Sequence, residues 1–91
     1  MIRQSVVVTN KLGLHARAAA KLVRLTSRFS SDVYISRKDA NQQIDSKSIL
    51  GILMLAASKG TNLLFSIEGN DEAEAADAIR RLFENKFGEE N

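Results

Sequence analysis

The chain has 91 residues, of which 44% are hydrophobic and 26% are charged, and this length suits one small globular domain, residues 1–91, with no room for a second. Thirteen Lys and Arg against 11 Asp and Glu give a net charge of +2, far below the basic excess that general nucleic-acid-binding proteins use. The sequence has no cysteine, which excludes disulfides and thiolate metal sites and leaves packing as the source of stability.

The N-terminal residues are predicted to form a strand and not a targeting or membrane segment. Their only apolar run is residues 6–8, which is too short for a secretory signal. No later stretch approaches the roughly 20 apolar residues that cross a bilayer, so we expect a cytoplasmic protein without membrane insertion. Residues 4–9 are rich in β-branched side chains and are predicted as the first strand, which ends at a turn-like loop over residues 10–13.

A basic amphipathic helix and a hairpin are predicted next. Residues 16–28 have apolar side chains at helical spacing. The other face of this helix carries a basic stripe: Arg17, Lys21, Arg24 and Arg28. Such a stripe is usually solvated, and less often it docks a partner. Residues 32–36 and 42–45 are predicted as two hairpin strands joined by a polar connection over residues 37–41.

The second predicted helix covers residues 46–59, with serines suited to N-capping at its start and Gly60 as its C-terminal stop. Its apolar residues surround the axis and do not share one face. The helix is therefore either fully buried or exposes an apolar patch. A chain of this length has few elements to cover both sides, which favours the exposed patch.

The C-terminal part is predicted to form a strand over residues 62–68 and then a long helix. Asp71 and Glu74 have capping-box spacing at the start of that helix. Its apolar face consists of Ala75, Ala76, Ile79, Leu82 and Phe83. Residues 88–91 are expected to be frayed. The element order predicts an α+β domain whose antiparallel or mixed sheet is covered on one face by helices.

The residue types in the chain exclude most catalytic sites. One histidine and no cysteine provide neither a zinc site of the usual ligands nor a thiol nucleophile. The glycines form neither a P-loop nor a dinucleotide-binding fingerprint. We therefore expect no independent enzymatic activity, no metal and no cofactor.

The single histidine lies where an anion could bind. His15 follows the Gly13 turn and directly precedes the first helix, whose first N–H groups, those of Ala16, Arg17 and Ala18, lack intrahelical partners. A phosphoryl group on an imidazole nitrogen could accept hydrogen bonds from these N–H groups and from the Arg17 guanidinium. From the residues alone, a histidine before a helix is more often a capping or surface residue, so both interpretations stand.

Two motifs extend this interpretation. GLHARAAAKL at residues 13–22 and SKSILGILMLAASKG at residues 46–60 resemble the histidine-containing phosphocarrier (HPr) family of the bacterial phosphotransferase system. The resemblance covers nearly the whole chain. It implies an α+β, open-faced β-sandwich in which a four-stranded antiparallel sheet carries three helices on one face (βαββαβα). It also implies a carrier and not an enzyme. In that family enzyme I, charged by phosphoenolpyruvate, phosphorylates the histidine, and enzyme IIA components receive the phosphoryl group.

The resemblance also implies roles for individual residues. It places the phosphorylated histidine at His15, the phosphate-binding arginine at Arg17, and a regulatory serine at Ser48, the target of a serine kinase/phosphorylase. From the residues alone, Ser48 is an N-cap or the neighbour of one. The partner-docking residues would be Lys21, Arg24, Ile49, Leu50, Leu53 and Met54.

One departure and several alternatives remain at this point. The family usually has proline after the arginine, and this chain has Ala18, which adds an N–H donor but loses a fixed φ. The sugar-uptake and nitrogen-related branches are not separated by the sequence. A regulatory module that docks partners without passing phosphate onward is the main alternative. An RNA-binding module is disfavoured, since aromatics are only 5% of the chain. We expect a monomer.

Overall fold

The structure is a computed structural model that describes residues 1–89. Its elements are β1 Ile2–Val7, α1 Ala16–Thr26, β2 Asp32–Arg37, β3 Ile44–Asp45, α2 Ile49–Met54, β4 Asn62–Glu68 and α3 Glu72–Glu84, followed by a short 3₁₀ turn, Lys86–Gly88. The order of strands and helices is the predicted one. Within residues 1–89, no helix is long and apolar enough to cross a membrane.

The four strands form one sheet in the order β1-β4-β2-β3, and every neighbouring pair is antiparallel. β4 lies between β1 and β2, so that Leu63 is opposite Val6 and Phe65 is opposite Ile35. The predicted antiparallel sheet is therefore confirmed, and the mixed alternative is wrong. The pairing of β1 with β4 joins two segments that are far apart in the sequence, and it brings the loop after β1 close to the loop before β4.

The core lies between the sheet and the helices. Alternate strand residues are buried because successive side chains of a strand point to opposite faces. The buried strand side chains include Val33, Ile35, Leu63, Phe65 and Ile67, and the helices contribute Ala19, Leu22, Ile52, Ala75, Ile79 and Phe83. Buried alanines occur on both α1 and α3, and α1 packs against α2 and α3. This packing fixes the axis of α1, and with it the position of the residue just before the helix.

Four predicted boundaries, in three elements, differ from the structure by two residues. β1 begins at Ile2, which pairs with Ile67, and it ends at Val7. Beyond Val7, the backbone N–H and carbonyl of Val8 make hydrogen bonds to the loop before β4. Val8 is therefore part of a loop and not of the strand. The third strand is only Ile44–Asp45, and α1 ends at Thr26 and not at residue 28. Pairing with distant segments decided these ends, and such pairing is invisible in local periodicity.

The second helix is much shorter than predicted. It covers Ile49–Met54 and not residues 46–59, so the proposed stop at residue 60 was wrong. Ala56 has a positive φ of 51°, which a helix does not contain. The Ala57 carbonyl then accepts the Leu14 N–H at 2.8 Å. A tertiary hydrogen bond to the loop before α1 therefore replaces further turns of α2.

The predicted capping box at the start of α3 is also wrong. Asp71 occupies the N-cap position but makes no side-chain cap hydrogen bond. Its carboxylate accepts the backbone N–H groups of Ser30 and Ser31 at 2.9 and 3.0 Å, and the Ser31 hydroxyl at 2.5 Å. Glu74, the other predicted member, is exposed. Asp71 therefore joins the loop between α1 and β2 to the start of α3, a tertiary role that local spacing did not predict.

Candidate functional site

The loop between β1 and α1 sets the position of the histidine. Gly13 has a φ of +69°, a conformation that favours glycine. A Cβ on Gly13 would lie 2.5 Å from the Ala57 carbonyl oxygen, so the backbone approaches closer than a side chain allows. Leu14, the next residue, is buried and anchors the loop in the core. The tight turn expected at Gly13 is present, and it places His15 at the start of α1.

His15 is the N-cap of α1. Its backbone is extended, with φ −77° and ψ −179°, and its ring Nδ1 accepts the Arg17 N–H at 3.3 Å. The His15 carbonyl accepts the Ala19 N–H at 2.8 Å, the first bond of the helix. The side chain is 26% exposed. The two interpretations of His15, as a capping residue and as a residue at an anion site, therefore involve the same ring nitrogen. Nδ1 caps the helix and faces the helix N-terminus.

The other ring nitrogen faces a carboxylate that the sequence analysis missed. His15 Nε2 lies 2.5 Å from Oε2 of Glu89, whose side chain is only 11% exposed. Oε1 of Glu89 accepts the buried Asn10 side-chain amide at 3.0 Å, and the same amide donates to the Gly13 carbonyl at 2.8 Å. The Asn10 hydrogen bond, and to a lesser degree His15 and Lys21, hold the pKa of Glu89 below its ordinary value against the opposing effect of burial.

The C-terminal segment, residues 85–89, is packed in the structure, so the prediction of fraying was wrong for Gly88 and Glu89. Residues 90–91 lie outside the described part of the chain. Phe87 is 1% exposed, and its ring centroid lies 4.9 Å from that of Phe83 at 64°. The Phe87 carbonyl accepts Lys21 Nζ at 2.5 Å. An aromatic side chain just beyond the predicted helix was the one signal in the sequence that this segment returns to the core.

The structure brings the predicted phosphate-binding residues together at the helix start. The Arg17 side chain is exposed beside the histidine, and its backbone N–H is on Nδ1. Ala16 is exposed and Ala18 is buried. No group of potential metal ligands occurs within residues 1–89. The arrangement can receive an anion at Nδ1, next to the Arg17 N–H at the start of the helix.

The predicted docking residues separate into two groups. On α2, Leu50 and Met54 are 71% and 74% exposed, and Ile49 and Leu53 are also exposed, whereas Ile52 is buried. We call the four exposed side chains the α2 patch: Ile49, Leu50, Leu53 and Met54. The exposed alternative for this helix is thus confirmed, and full burial is wrong. On α1, Arg24 is exposed, but the Lys21 ammonium is bound to the C-terminal segment.

One feature of this surface was not predicted, and at Ser48 the structure confirms one of the two predicted alternatives. Leu12 is exposed in the loop that precedes the histidine, so the loop adds an apolar side chain near the site. Ser48, not Ser46, is the N-cap of α2, and its hydroxyl accepts the Gly51 N–H at 3.2 Å. Ser46 is buried, and its N–H donates to the Val33 carbonyl.

Known proteins are similar to this chain in sequence and in fold. Residues 2–85 match the protein family described as "PTS HPr component phosphorylation site". The chain is 48% identical over 90 residues to the phosphocarrier protein HPr of Xylella fastidiosa (strain 9a5c), which covers 99% of each chain. The chain belongs to the HPr family of phosphocarrier proteins.

Two further HPr-family proteins support the assignment. The phosphocarrier protein HPr of Cupriavidus necator is 47% identical over 89 residues, 98% of each chain. The crystal structure of HPr-C-His from Thermoanaerobacter tengcongensis has a TM-score of 0.93 and 43% identity, and covers 100% of both chains. The predicted fold, an open-faced β-sandwich of the HPr type, is therefore confirmed. HPr proteins carry phosphoryl groups in the phosphotransferase system, and this is the general function of this chain.

Proposed function

We propose that this HPr-family protein accepts a phosphoryl group on Nδ1 of His15 from phosphorylated enzyme I, itself charged by phosphoenolpyruvate, and passes it to an enzyme IIA component. One observation carries the proposal. Nδ1 faces the helix N-terminus and accepts the Arg17 N–H at 3.3 Å, whereas Nε2 lies 2.5 Å from Oε2 of Glu89. The Glu89 carboxylate therefore covers Nε2, and Nδ1 is the ring nitrogen proposed to receive the phosphoryl group.

The transfer needs no proton movement at the nitrogen that reacts. The Nδ1 lone pair attacks phosphorus, a P–N bond forms, and the bond between phosphorus and the donor breaks with its electron pair leaving on the donor. The reverse steps deliver the phosphoryl group to the acceptor. The site supplies positioning and charge, and donor and acceptor supply the remaining groups, which fits a carrier and not an enzyme.

The site should stabilise a bound phosphoryl group only moderately. The Arg17 N–H can donate to a phosphoryl oxygen instead of to Nδ1, and the exposed Arg17 guanidinium can donate to the same phosphoryl group. Both donors lie at an open surface, where charge interactions are screened by solvent. A carrier benefits from this, because a tightly enclosed phosphoryl group would not be passed on.

We propose that the α2 patch and the basic residues of α1 form the docking surface for enzyme I and for enzyme IIA components. The patch is apolar and exposed, and Arg17 and Arg24 on the neighbouring helix α1 add positive charge. Apolar contact would supply affinity, and the cations would favour partners with acidic surfaces. Docking and transfer would take place in the cytoplasm.

Ser48 is the proposed regulatory site for a serine kinase/phosphorylase. Its side chain is exposed at the N-cap of α2, next to Ile49 and Leu50 of the α2 patch. A phosphate at a helix N-terminus is favourable for the helix dipole, so modification should not unfold the helix. The same dianion would oppose acidic partners, so its effect should fall on docking.

A regulatory module that docks the same partners without onward transfer is the second candidate. The apolar exposure of the α2 patch fits this function as well as it fits the carrier. The site at His15 favours the carrier, because docking alone needs no free ring nitrogen beside an arginine.

The deciding experiment incubates the protein with enzyme I and ³²P-labelled phosphoenolpyruvate and then adds an enzyme IIA. We expect acid-labile, base-stable label on His15 that is lost from the protein as it appears on the acceptor. His15→Ala should fold and take no label, and Arg17→Ala should take label more slowly. Label on the His15→Ala variant would disprove the proposed site. Label that enters but never leaves in the presence of acceptors would favour the regulatory module.

A further inference from the structure

The carboxylate on the far side of the histidine has no role in the proposed transfer so far. Glu89 Oε2 lies 2.5 Å from His15 Nε2, and this contact joins residues 74 positions apart in the sequence. We infer that Glu89 is a positioning residue that keeps the ring proton on Nε2 and so leaves the lone pair on Nδ1. This inference rests on the proposed function, because it assigns a task to Glu89 only if Nδ1 receives the phosphoryl group.

Two contacts on opposite sides of the ring select the same tautomer. A backbone N–H can only donate, so the Arg17 N–H at 3.3 Å requires a lone pair on Nδ1. An ionised carboxylate can only accept, so Glu89 requires a proton on Nε2. The Arg17 contact is long and weak, and the Glu89 contact is short and charge-assisted. Glu89 is therefore the stronger of the two determinants.

The carboxylate is itself fixed from behind. Oε1 of Glu89 accepts the Asn10 side-chain amide, and Asn10 is fully buried. The same amide nitrogen donates to the Gly13 carbonyl, so both its N–H groups are used and its orientation is set. Phe87 in the core and Lys21 on the Phe87 carbonyl hold the backbone two residues before Glu89. The orientation of the carboxylate thus depends on packing and not on a mobile tail.

This arrangement also matches the change in charge during transfer. The neutral ring carries its proton on Nε2 before the reaction. When Nδ1 bonds to phosphorus and the Nε2 proton stays in place, the ring becomes positively charged. The Glu89 carboxylate faces that charge through the Nε2–H group. Removal of the carboxylate should therefore lower the equilibrium fraction of phosphorylated protein, by about tenfold in the equilibrium constant.

The first test measures the tautomer directly, in the full chain without any partner. Long-range ¹H–¹⁵N NMR spectra, recorded at a pH where the ring is neutral, distinguish a protonated from an unprotonated ring nitrogen. We expect the wild-type ring to carry its proton on Nε2. Glu89→Gln should shift the population toward the Nδ1-protonated tautomer. The single oxygen of glutamine would stay on the Asn10 amide, which turns the glutamine NH₂ toward Nε2. Glu89→Asp, which keeps the charge, should restore part of the wild-type population.

A matched control separates this role from net charge. Glu74→Gln makes the same charge change at an exposed position on α3 and should leave the tautomer unchanged. Circular dichroism of all variants should match wild type, because Phe87 is unchanged and Glu74 is exposed on α3. A wild-type ring protonated mainly on Nδ1, or equal populations in Glu89→Gln and Glu74→Gln, would overturn the inference.

The second test measures the phosphorylation equilibrium against enzyme I at fixed phosphoenolpyruvate and pyruvate. The equilibrium constant for phosphorylation should fall by about tenfold in Glu89→Gln and by less in Glu89→Asp. In Glu74→Gln it should match wild type. Unchanged phosphorylation in Glu89→Gln would also overturn the inference. If wild type itself takes no label, the proposed function fails, whereas the tautomer measurement still reports on Glu89. The two failures are thus distinguishable.

Discussion

At the scale of single residues, one nitrogen of His15 has two uses that do not conflict. Nδ1 caps α1 by accepting the Arg17 N–H, and it is also the atom proposed to bond to phosphorus. The cap bond is 3.3 Å long, at the weak end of the range for N–H donors. Its loss costs little, and a phosphoryl oxygen can accept the same N–H. The helix N-terminus is therefore satisfied in both states of the carrier.

Ala18 is the departure from the usual sequence of the family, and its replacement tests the helix start. Ala18 lies in the first turn of α1, before the first intrahelical bond at Ala19, so a proline there loses no such bond. We expect Ala18→Pro to raise the free energy of unfolding by about 0.4–1 kcal/mol, through lower entropy of the unfolded chain. Urea denaturation measures it. Because Ala18 is fully buried, a decrease would show that the site has no room for the ring.

Gly13 tests how closely the loop must approach the segment after α2. Gly13→Ala would place a Cβ 2.5 Å from the Ala57 carbonyl oxygen, and it would also strain a φ of +69°. Gly60→Ala is the control, since its φ of +94° is also positive but nothing lies within 4 Å of its Cβ. We expect about 1–3 kcal/mol of destabilisation from Gly60→Ala. Gly13→Ala should cost more and should also slow labelling of His15. Equal costs would show that the loop relaxes freely.

At the scale of elements, α2 is short because the chain after it bonds to the loop that precedes His15 and α1. Long periodic segments were predicted well, since α1 and α3 have 11 and 13 residues and each carries a clear apolar face: the end of α1 was predicted to within two residues, and the apolar face of α3 was predicted. α2 has six residues and no single apolar face, and its end is set by the bond between Ala57 and Leu14. The local sequence contains no information about this tertiary hydrogen bond, so the predicted helix was longer than the observed one.

The α2 patch can be tested with one charge. Leu50 is mostly exposed, so Leu50→Glu should change the free energy of unfolding by no more than about 0.5 kcal/mol. In a docking surface the same change should weaken binding of enzyme I by at least tenfold, because apolar contacts are lost and an acidic partner is repelled. Ala73→Glu adds the same charge at an exposed position on α3. Calorimetric titration of both variants measures the effect, and equal affinities would exclude Leu50 from the interface.

Ser48 allows capping and charge to be separated within one residue. Asp and Asn both replace serine well as N-caps, so both variants should retain the bond from the Gly51 N–H and near wild-type stability. Only Ser48→Asp adds a negative charge beside the α2 patch. We expect Ser48→Asp to slow labelling of His15 by enzyme I and Ser48→Asn to leave it near wild type. Equal rates for the two variants would show that Ser48 serves the helix alone.

At the scale of the whole molecule, the site combines residues that are near and far in the sequence. His15 and Arg17 follow from one motif, and their places at the helix start were predicted. Glu89 could not be predicted in the same way, because it reaches the site only through the fold of α3 and the burial of Phe87. Patterns of three or four residues describe one helix face, and they do not show which chain end returns to it.

The contact between Asp71 and the loop between α1 and β2 predicts how stability depends on pH. The Ser31 hydroxyl first, and then the Ser30 and Ser31 backbone N–H groups, lower the pKa of Asp71 below its ordinary value of 3.8. A carboxyl group with a lowered pKa in the folded state stabilises the fold fully above the unfolded-state value. That contribution decreases as the pH falls below 3.8 toward the folded-state pKa.

Asp71→Asn should therefore be less stable than wild type at neutral pH, because the amide offers one oxygen where three donors need two. As the pH falls well below 3.8, wild type loses its charge and the two denaturation midpoints should converge. Asp32→Asn removes the same charge from an exposed neighbouring position and should follow wild type throughout. Urea denaturation at neutral and at acidic pH measures the difference. A gap that stays constant across this range would mean that the contact between Asp71 and the loop before β2 does not depend on the ionised carboxylate.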